Sequence, residues 1–297
     1  MNTYLFIIFT HLNINNPMKP ESLLQTALST AVEAGEAIMK IYTHPDLDWQ
    51  VERKADNSPL TLADRRSHAV IAQALDMTPF PVLSEEGCHE DYSIRQAWHT
   101  LWIVDPLDGT KEFLKRNGEF TVNIALVKDG HPVMGVIYVP VSRTLFWGYT
   151  EEFNGQKAAW RCEVNSDGNL VNTTSLPVEE QEERPFIVVA SRSHLSPETE
   201  AFVARERENH PDLELHSAGS SLKICLVAEG RADVYPRLAP TMEWDTAAGH
   251  AIALGAGCEV VKAEDETPVV YNKENLLNPY FIVRPASTQQ KLSRCSE

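Results

Sequence analysis

The chain has no C-x-x-C pair, and its five cysteines, Cys88, Cys162, Cys225, Cys258 and Cys295, are odd in number and widely spaced. That pattern argues against a disulfide framework or a zinc site and implies no disulfide partner and a reducing, cytoplasmic setting. A run of the roughly 20 apolar residues that a membrane span needs is also missing. The nearest approach, Tyr4 to Phe9, has no basic segment before it and no small-residue cleavage site after it, so it does not read as a signal peptide. Residues 1–17 are read as an N-terminal extension without fixed structure, with Met18 opening a second start, M-K-P-E-S. The alternative for that segment is a weak membrane-surface anchor, peripheral on the inner face of the cell membrane. Basic residues are scarce: Lys and Arg number 26 against 42 Asp and Glu, a net charge of −16, which opposes binding to nucleic acid. A small anionic substrate therefore needs metal ions or a few placed cations. No internal repeat is present, and G-A-G at 255–257 follows a helical segment without a third glycine, so it reads as a helix-ending turn rather than a dinucleotide site.

The remainder is globular in composition, 43% hydrophobic and 23% charged, and 297 residues suffice for one large domain or two closely packed ones. Apolar residues at three- and four-residue intervals predict a helix over Glu21 to Tyr42, and a second is expected from Ala63 to Leu75. Val82 to Ser84 and Leu101 to Val104 read as short strands. Phe120 to Val127, Val133 to Val139 and Thr144 to Tyr149 have hairpin spacing and predict antiparallel neighbours. Residues 151–184 are polar and without periodicity, and are read as a loop-rich hairpin and connector. Beyond them strands (186–190, 213–216, 232–235, 258–261) alternate with helices (198–208, 221–229, 245–254), a mixed α/β pattern. The expected division is an N-terminal extension (1–17), a metal-binding α+β half (18–184), a C-terminal α/β half (185–285) and a tail (286–297).

The densest chemical signal is W-I-V-D-P-L-D-G-T-K-E-F at 102–113. A strand ends at Asp105, Pro106 fixes a turn, Asp108 follows, and a helix begins near Gly109-Thr110. Two carboxylates beside a helix N-terminus suit Mg²⁺ and a phosphate, although P-x-D-G alone reads equally well as a turn. Glu85-Glu86 after a strand, Asp64 and Asp245 add further acids, and gathered carboxylates repel unless cations neutralise them.

With L-S-E-E-G at 83–87, D-P-L-D-G-T at 105–110 and W-D-T-A-A-G at 244–249, the chain resembles the Mg²⁺-dependent, Li⁺-sensitive inositol monophosphatase superfamily. Within it the chain looks most like the 3′(2′),5′-bisphosphate nucleotidases of the CysQ type, through D-G-T-K-E-F at 108–113, N-G-E-F-T-V-N-I-A-L at 117–126, S-R-S-H at 191–194, G-S-S-L-K at 219–223 and Y-P-R at 235–237. The match runs in order from about Met18 to Val283. It implies a layered αβαβα sandwich and two or three Mg²⁺ ions held by Glu85, Asp105, Asp108, Asp245 and the Leu107 carbonyl. It implies that Asp64 and Thr110 activate the attacking water, and that Gly109, Thr110, His194, Ser220, Lys223 and Arg237 bind the substrate. The implied reaction is hydrolysis of the 3′-phosphate of adenosine 3′,5′-bisphosphate to AMP and phosphate, with a link to sulfate assimilation.

Such chemistry needs charge neutralisation and a positioned water but no protein nucleophile. The competing D-x-D-G-T phosphatase type needs an aspartyl nucleophile where this chain has Pro106. Inositol monophosphate and other sugar phosphates remain alternative substrates, and a non-catalytic anion-binding protein is the alternative of another class. His250 reads as a packed core histidine.

Overall fold

The structure is a computed structural model that describes residues 19–44, 49–53, 59–178, 184–191 and 196–286. The expected extension over 1–17, nearly all of the expected tail, and His194 lie outside the described residues. In chain order the elements are α1 (Pro20–Tyr42), β1 (Glu52–Arg53), β2 (Pro59–Leu60), α2 (Leu62–Leu75), β3 (Val82–Ser84), α3 (Tyr92–Arg95), β4 (Thr100–Asp108), α4 (Thr110–Leu114), β5 (Thr121–Lys128), β6 (His131–Val139) and β7 (Thr144–Tyr149). There follow α5 (Glu151–Asn154), β8 (Ala158–Val164), β9 (Leu170–Ser175), β10 (Ile187–Ala190), α6 (Pro197–Asn209), β11 (Glu214–Ser217), α7 (Leu222–Ala228), β12 (Tyr235–Arg237), a 3₁₀ turn (Glu243–Asp245), α8 (Ala247–Gly255), β13 (Cys258–Lys262) and β14 (Phe281–Pro285).

Strands β3 to β9 form one seven-stranded sheet in sequence order, with β3 parallel to β4 and every later pair antiparallel. The period-2 alternation of a strand sorts its residues between two cores. Trp102 and Val104 of β4 and Val122, Ile124 and Leu126 of β5 pack with α1 and α2. Leu101 and Ile103, with Ala125 and Val127, face the other way, onto α7 and α8. Because both faces are covered, these strands read as unbroken apolar runs. β11 pairs in parallel with β10, a single bridge joins Val188 of β10 to Val234, and β12, β14 and β13 pair antiparallel. Helix α6 packs on the outer side of this second group through Phe202 and Val203. The order is therefore helix, sheet, helix, sheet, helix, the five-layered αβαβα sandwich expected from the resemblance.

Two sequence expectations need correction. The hairpin expected within 151–184 is present but is more regular than a loop-rich one: residues 158–164 and 170–175 pair antiparallel as the last two strands of the large sheet. Their polarity reflects position: β9 is the edge strand and four of its six residues are exposed. β14, which was not expected, lies between β12 and β13 and completes that sheet. Four described cysteines, Cys88, Cys162, Cys225 and Cys258, are free thiols. His250 is buried, with Nδ1 3.0 Å from Tyr271 Oη, as a core histidine should be. No helix among the described residues is long and apolar enough to cross a membrane.

Helix α8 lies close enough to the large sheet for backbone to touch backbone. A Cβ on Gly135 of β6 would sit 2.2 Å from the Ala248 carbonyl oxygen, and one on Gly255 would sit 2.4 Å from that of Ala158. Small residues on both partners permit this approach, and it sets where the preceding turn, with Asp245, falls. Gly135→Ala is expected to cost about 1–3 kcal/mol, the usual penalty for overpacking. A urea-unfolding midpoint unchanged by this substitution would contradict the contact.

Candidate active site

The site forms where the carboxyl end of β4 meets the 3₁₀ turn. β4 pairs with β5 up to Asp105↔Asn123, and the register then slips before Asp108↔Thr121. This irregularity, with Pro106 and Leu107 inside it, presents two aspartates three positions apart at one strand end. The turn is fixed from within by the Leu107 N–H, which donates to Asp105 Oδ1 at 3.0 Å, and from outside by Ser67 Oγ of α2, which donates to the Pro106 carbonyl at 2.6 Å. Thr110 Oγ1 lies 3.5 Å from the Leu107 carbonyl oxygen. The residue before Thr110, Gly109, has φ of +94°, a left-handed conformation that favours glycine and starts α4.

Carboxylate oxygens of Glu85, Asp105 and Asp245 come within 4.8 Å of one another. Asp245 is held by the Met242 N–H, which donates to its Oδ2 at 2.8 Å. Glu243, two residues earlier and fully buried, accepts from the N–H groups of Asn272 and Lys273 and pairs with the Lys273 ammonium, which anchors the turn. Burial, reinforced by Glu85, Asp108 and Asp245, holds the Asp105 carboxyl well above the usual carboxylate range. Burial and then Asp108 push Asp245 up to about 8. Asp108 is also raised by burial, against the opposing pull of Lys223, Asn123 and the Ser221 N–H. Oxygen donors this close, resisting ionisation by themselves, are a donor set for a hard divalent cation such as Mg²⁺.

Asp64 is 1% exposed, in the first turn of α2. The pattern Thr61-Leu62-Ala63-Asp64 is a capping box: the Thr61 N–H and Oγ1 both donate to Asp64 Oδ2, at 2.7 and 2.5 Å. Its other oxygen, Oδ1, accepts from Thr110 Oγ1 at 3.1 Å. Burial outweighs these hydrogen bonds and pushes Asp64 up to about 6.

Beside the carboxylates opens a cavity of about 330 Å³ whose lining includes Asp108, Asp245, Ser220, Lys223, Tyr235 and Arg237. Lys223, 5% exposed, donates to the carbonyls of Ser220 at 2.7 Å and Ala218 at 3.1 Å. Burial pulls its ammonium down to about 8, while Asp108 opposes the fall. Ser220 has φ of +44°, and its buried Oγ makes no hydrogen bond to the described residues. Arg237 donates from Nη2 to the Pro240 carbonyl at 2.7 Å, and its buried Nε makes no hydrogen bond to the described residues. Two buried donors without acceptors among the described residues line a cavity that Lys223 also lines, which suits an anion. Among the expected site residues, Asp108, Ser220, Lys223, Arg237 and Asp245 line this cavity, Glu85 and Asp105 join Asp245 in the carboxylate cluster, and Thr110, next to Gly109, links Asp64 to the Leu107 carbonyl. Gly219 was not singled out in the sequence; a Cβ there would sit 2.8 Å from the Glu119 carbonyl oxygen, and its N–H donates to Glu119 Oε2 at 2.9 Å. Lys111 and Glu112 also line the cavity unannounced. Thr61 was legible, since T-x-x-D before a helix is a capping signature.

The fold and the site together define a layered αβαβα protein with a carboxylate cluster beside a cation-lined cavity. The model of the inositol monophosphatase family matches residues 19–293, and the chain belongs to that family. A protein of Escherichia coli (strain K12) named 3′(2′),5′-bisphosphate nucleotidase CysQ is 44% identical over 271 residues, covering 88% of this chain and 99% of that protein. The protein of the same name from Salmonella typhimurium is 43% identical over 265 residues with the same coverage. The crystal structure of CysQ from Bacteroides thetaiotaomicron, described as a bacterial member of the inositol monophosphatase family, superposes with a TM-score of 0.79 at 54% identity, covering 89% of this chain and 97% of that one.

The raised carboxyls have a consequence for stability. In the metal-free protein the folded state keeps protons that the unfolded chain has released, because Asp245 titrates near 8 rather than 3.8. Stability from this group is therefore complete at low pH and lost as pH rises toward 8. Divalent cations bind the ionised form, so the gain in Tm on adding Mg²⁺ is expected to be larger at pH 8 than at pH 5.5. Differential scanning fluorimetry at the two pH values measures it, and equal gains would contradict the assignment.

Proposed function

We propose that the protein is a Mg²⁺-dependent 3′(2′),5′-bisphosphate nucleotidase that hydrolyses the 3′-phosphate of adenosine 3′,5′-bisphosphate to AMP and phosphate. The observation that carries this reading is the junction of the Glu85–Asp105–Asp245 cluster with a cavity that holds Ser220, Lys223 and Arg237. Identity of 43% and 44% to proteins named for that activity, over 99% of their length, supports the same substrate class. Free thiols and the acidic net charge agree with a cytoplasmic enzyme of a small-molecule substrate. Residues 18–184 would supply the metal-binding half, to which 185–285 would add Asp245 together with the cations Lys223 and Arg237.

Glu85, Asp105, Asp108, Asp245 and the Leu107 carbonyl would hold two or three Mg²⁺ ions. When bound, such ions neutralise the phosphoryl oxygens, acidify a water and stabilise the leaving oxygen. The chain's own contribution to the nucleophile is the Thr110–Asp64 pair. With its hydroxyl proton directed to Asp64 Oδ1, Thr110 Oγ1 has a lone pair free to accept from the attacking water. A carboxyl poised near 6 is mostly ionised at neutral pH yet basic enough to draw that proton away. Asp64 Oδ2 is occupied by Thr61, so only Oδ1 is available to this relay.

The phosphate that is not cleaved would lie against Lys223, Ser220 and Arg237. An ammonium titrating near 8 still carries its charge at neutral pH, and the Ser220 Oγ and Arg237 Nε lack acceptors among the described residues, which a phosphate can supply. Gly109 and Thr110 would offer N–H groups to the phosphate being cleaved. His194 keeps its place in the substrate-binding set from the sequence resemblance.

Loss of Arg237 should therefore discriminate between substrates. A charge-assisted contact is worth about 1.5–3 kcal/mol, or roughly ten- to a hundred-fold. Arg237→Ala is expected to lower kcat/KM for adenosine 3′,5′-bisphosphate by that factor and to leave hydrolysis of inositol 1-phosphate unchanged. Phosphate release should cease in EDTA for both substrates. An equal loss on the two would reduce the reading to a sugar-phosphate phosphatase, and release that persists in EDTA would contradict metal dependence.

A further inference from the structure

The face of β5 that looks toward α8 changes character along its length. Ala125 and Val127 are apolar, whereas Asn123 and Thr121, on the same face, are polar and fully buried. Both meet Ser221, the residue before α7. Thr121 Oγ1 and Ser221 Oγ lie 2.8 Å apart, and they lie 3.0 and 2.9 Å from Asn123 Oδ1. Both hydroxyls stand within donating distance of the amide oxygen. An ionised carboxylate only accepts, so the amide edge that faces Asp108 must be the NH₂, and the oxygen edge is left to the hydroxyls. Its NH₂ then faces Asp108 and donates to Oδ2 at 3.4 Å. The Ser221 N–H donates to the same carboxylate.

We propose that Asn123 is a positioning residue for the metal: the Thr121 and Ser221 hydroxyls lock its amide, and its NH₂ holds the Asp108 carboxylate in one orientation, leaving the remaining lone pairs to the cation. The inference rests on the metal-dependent reading above and adds to it a group that touches neither metal nor substrate. The same triangle joins β5 to the start of α7, the helix that carries Lys223. One set of hydrogen bonds thus fixes both a metal ligand and the cationic wall of the cavity. Side chains that orient metal ligands in this way commonly govern ten- to a hundred-fold of metal affinity, by the general pattern of such sites, about that range.

The test is a Mn²⁺ titration of the substrate-free protein followed by electron paramagnetic resonance, on the parent, Asn123→Ala, Thr121→Val and Thr121→Ser, with folding checked by circular dichroism. Thr121→Val keeps the shape and the β-branch and removes only the hydroxyl. It is expected to weaken Mn²⁺ binding by roughly ten-fold or more. Asn123→Ala should weaken it at least as much, Thr121→Ser should bind as the parent does, and kcat of Thr121→Val should recover at saturating metal. Unchanged Mn²⁺ affinity in Thr121→Val overturns the inference. So does equal weakening in the Val and Ser variants, which would mark a packing role. A parent protein that binds no Mn²⁺ would instead bring down the metal-dependent reading itself.

Discussion

Repulsion between carboxylates is the constraint around which this molecule is arranged. Three of them, Glu85, Asp105 and Asp245, approach within 4.8 Å at the end of β4, and Asp108 stands beside them, in surroundings that desolvate the three aspartates. Bringing like charges together out of water is unfavourable unless protons or cations neutralise them. Hydrogen bonds offset part of the cost: the Leu107 N–H on Asp105, the Met242 N–H on Asp245, and Asn123 with the Ser221 N–H on Asp108. What they leave uncompensated would be the driving force for holding a divalent cation. A site built this way trades stability of the empty protein for affinity toward the ion.

Rigid surroundings keep the cluster from relaxing apart. Asp105 is at the end of a strand covered on both faces, and Asp245 sits between a turn anchored by Glu243 and a helix pressed onto the sheet through glycines. The two faces of the large sheet divide the labour. Its α1–α2 side is largely apolar packing, with Ser67 and Asp64 of α2 reaching Pro106 and Thr110, while its α8 side gives way at one end to Asp105, Asn123 and Thr121. That end is where the second sheet and α7 bring Lys223 and Arg237. Neither half of the chain contains the complete set of groups.

Much of this was legible in the sequence because its signals are local. The helices over Pro20–Tyr42 and Leu62–Leu75, and the strands Val82–Ser84 and Thr144–Tyr149, follow from periodicity and turn residues. The family motifs gave the layered fold and pointed to the acids that the structure gathers. What escaped depends on neighbours distant in the chain. β9 is polar because it is an edge, and β14 is recognisable only through its partners β12 and β13. Thr121, Asn123 and Ser221 look like ordinary strand and loop residues until the fold sets β5 against α7, nearly a hundred residues on, with Ser221 and Asn123 separated by 98 positions. Lys223 is expected in the substrate-binding set, but nothing in the sequence shows that it is buried against its own loop carbonyls.

The central claim is that the carboxylates at the end of β4 and at the 3₁₀ turn are a metal site rather than a proton-sharing structural cluster. Anomalous diffraction from crystals of this protein soaked in Mn²⁺ addresses it without reference to turnover. A peak enclosed by Glu85, Asp105 and Asp245, with ligand distances of metal–oxygen bonds, is the predicted result. Density that shows Mn²⁺ only elsewhere on this acidic protein, with those three side chains unchanged, would contradict it.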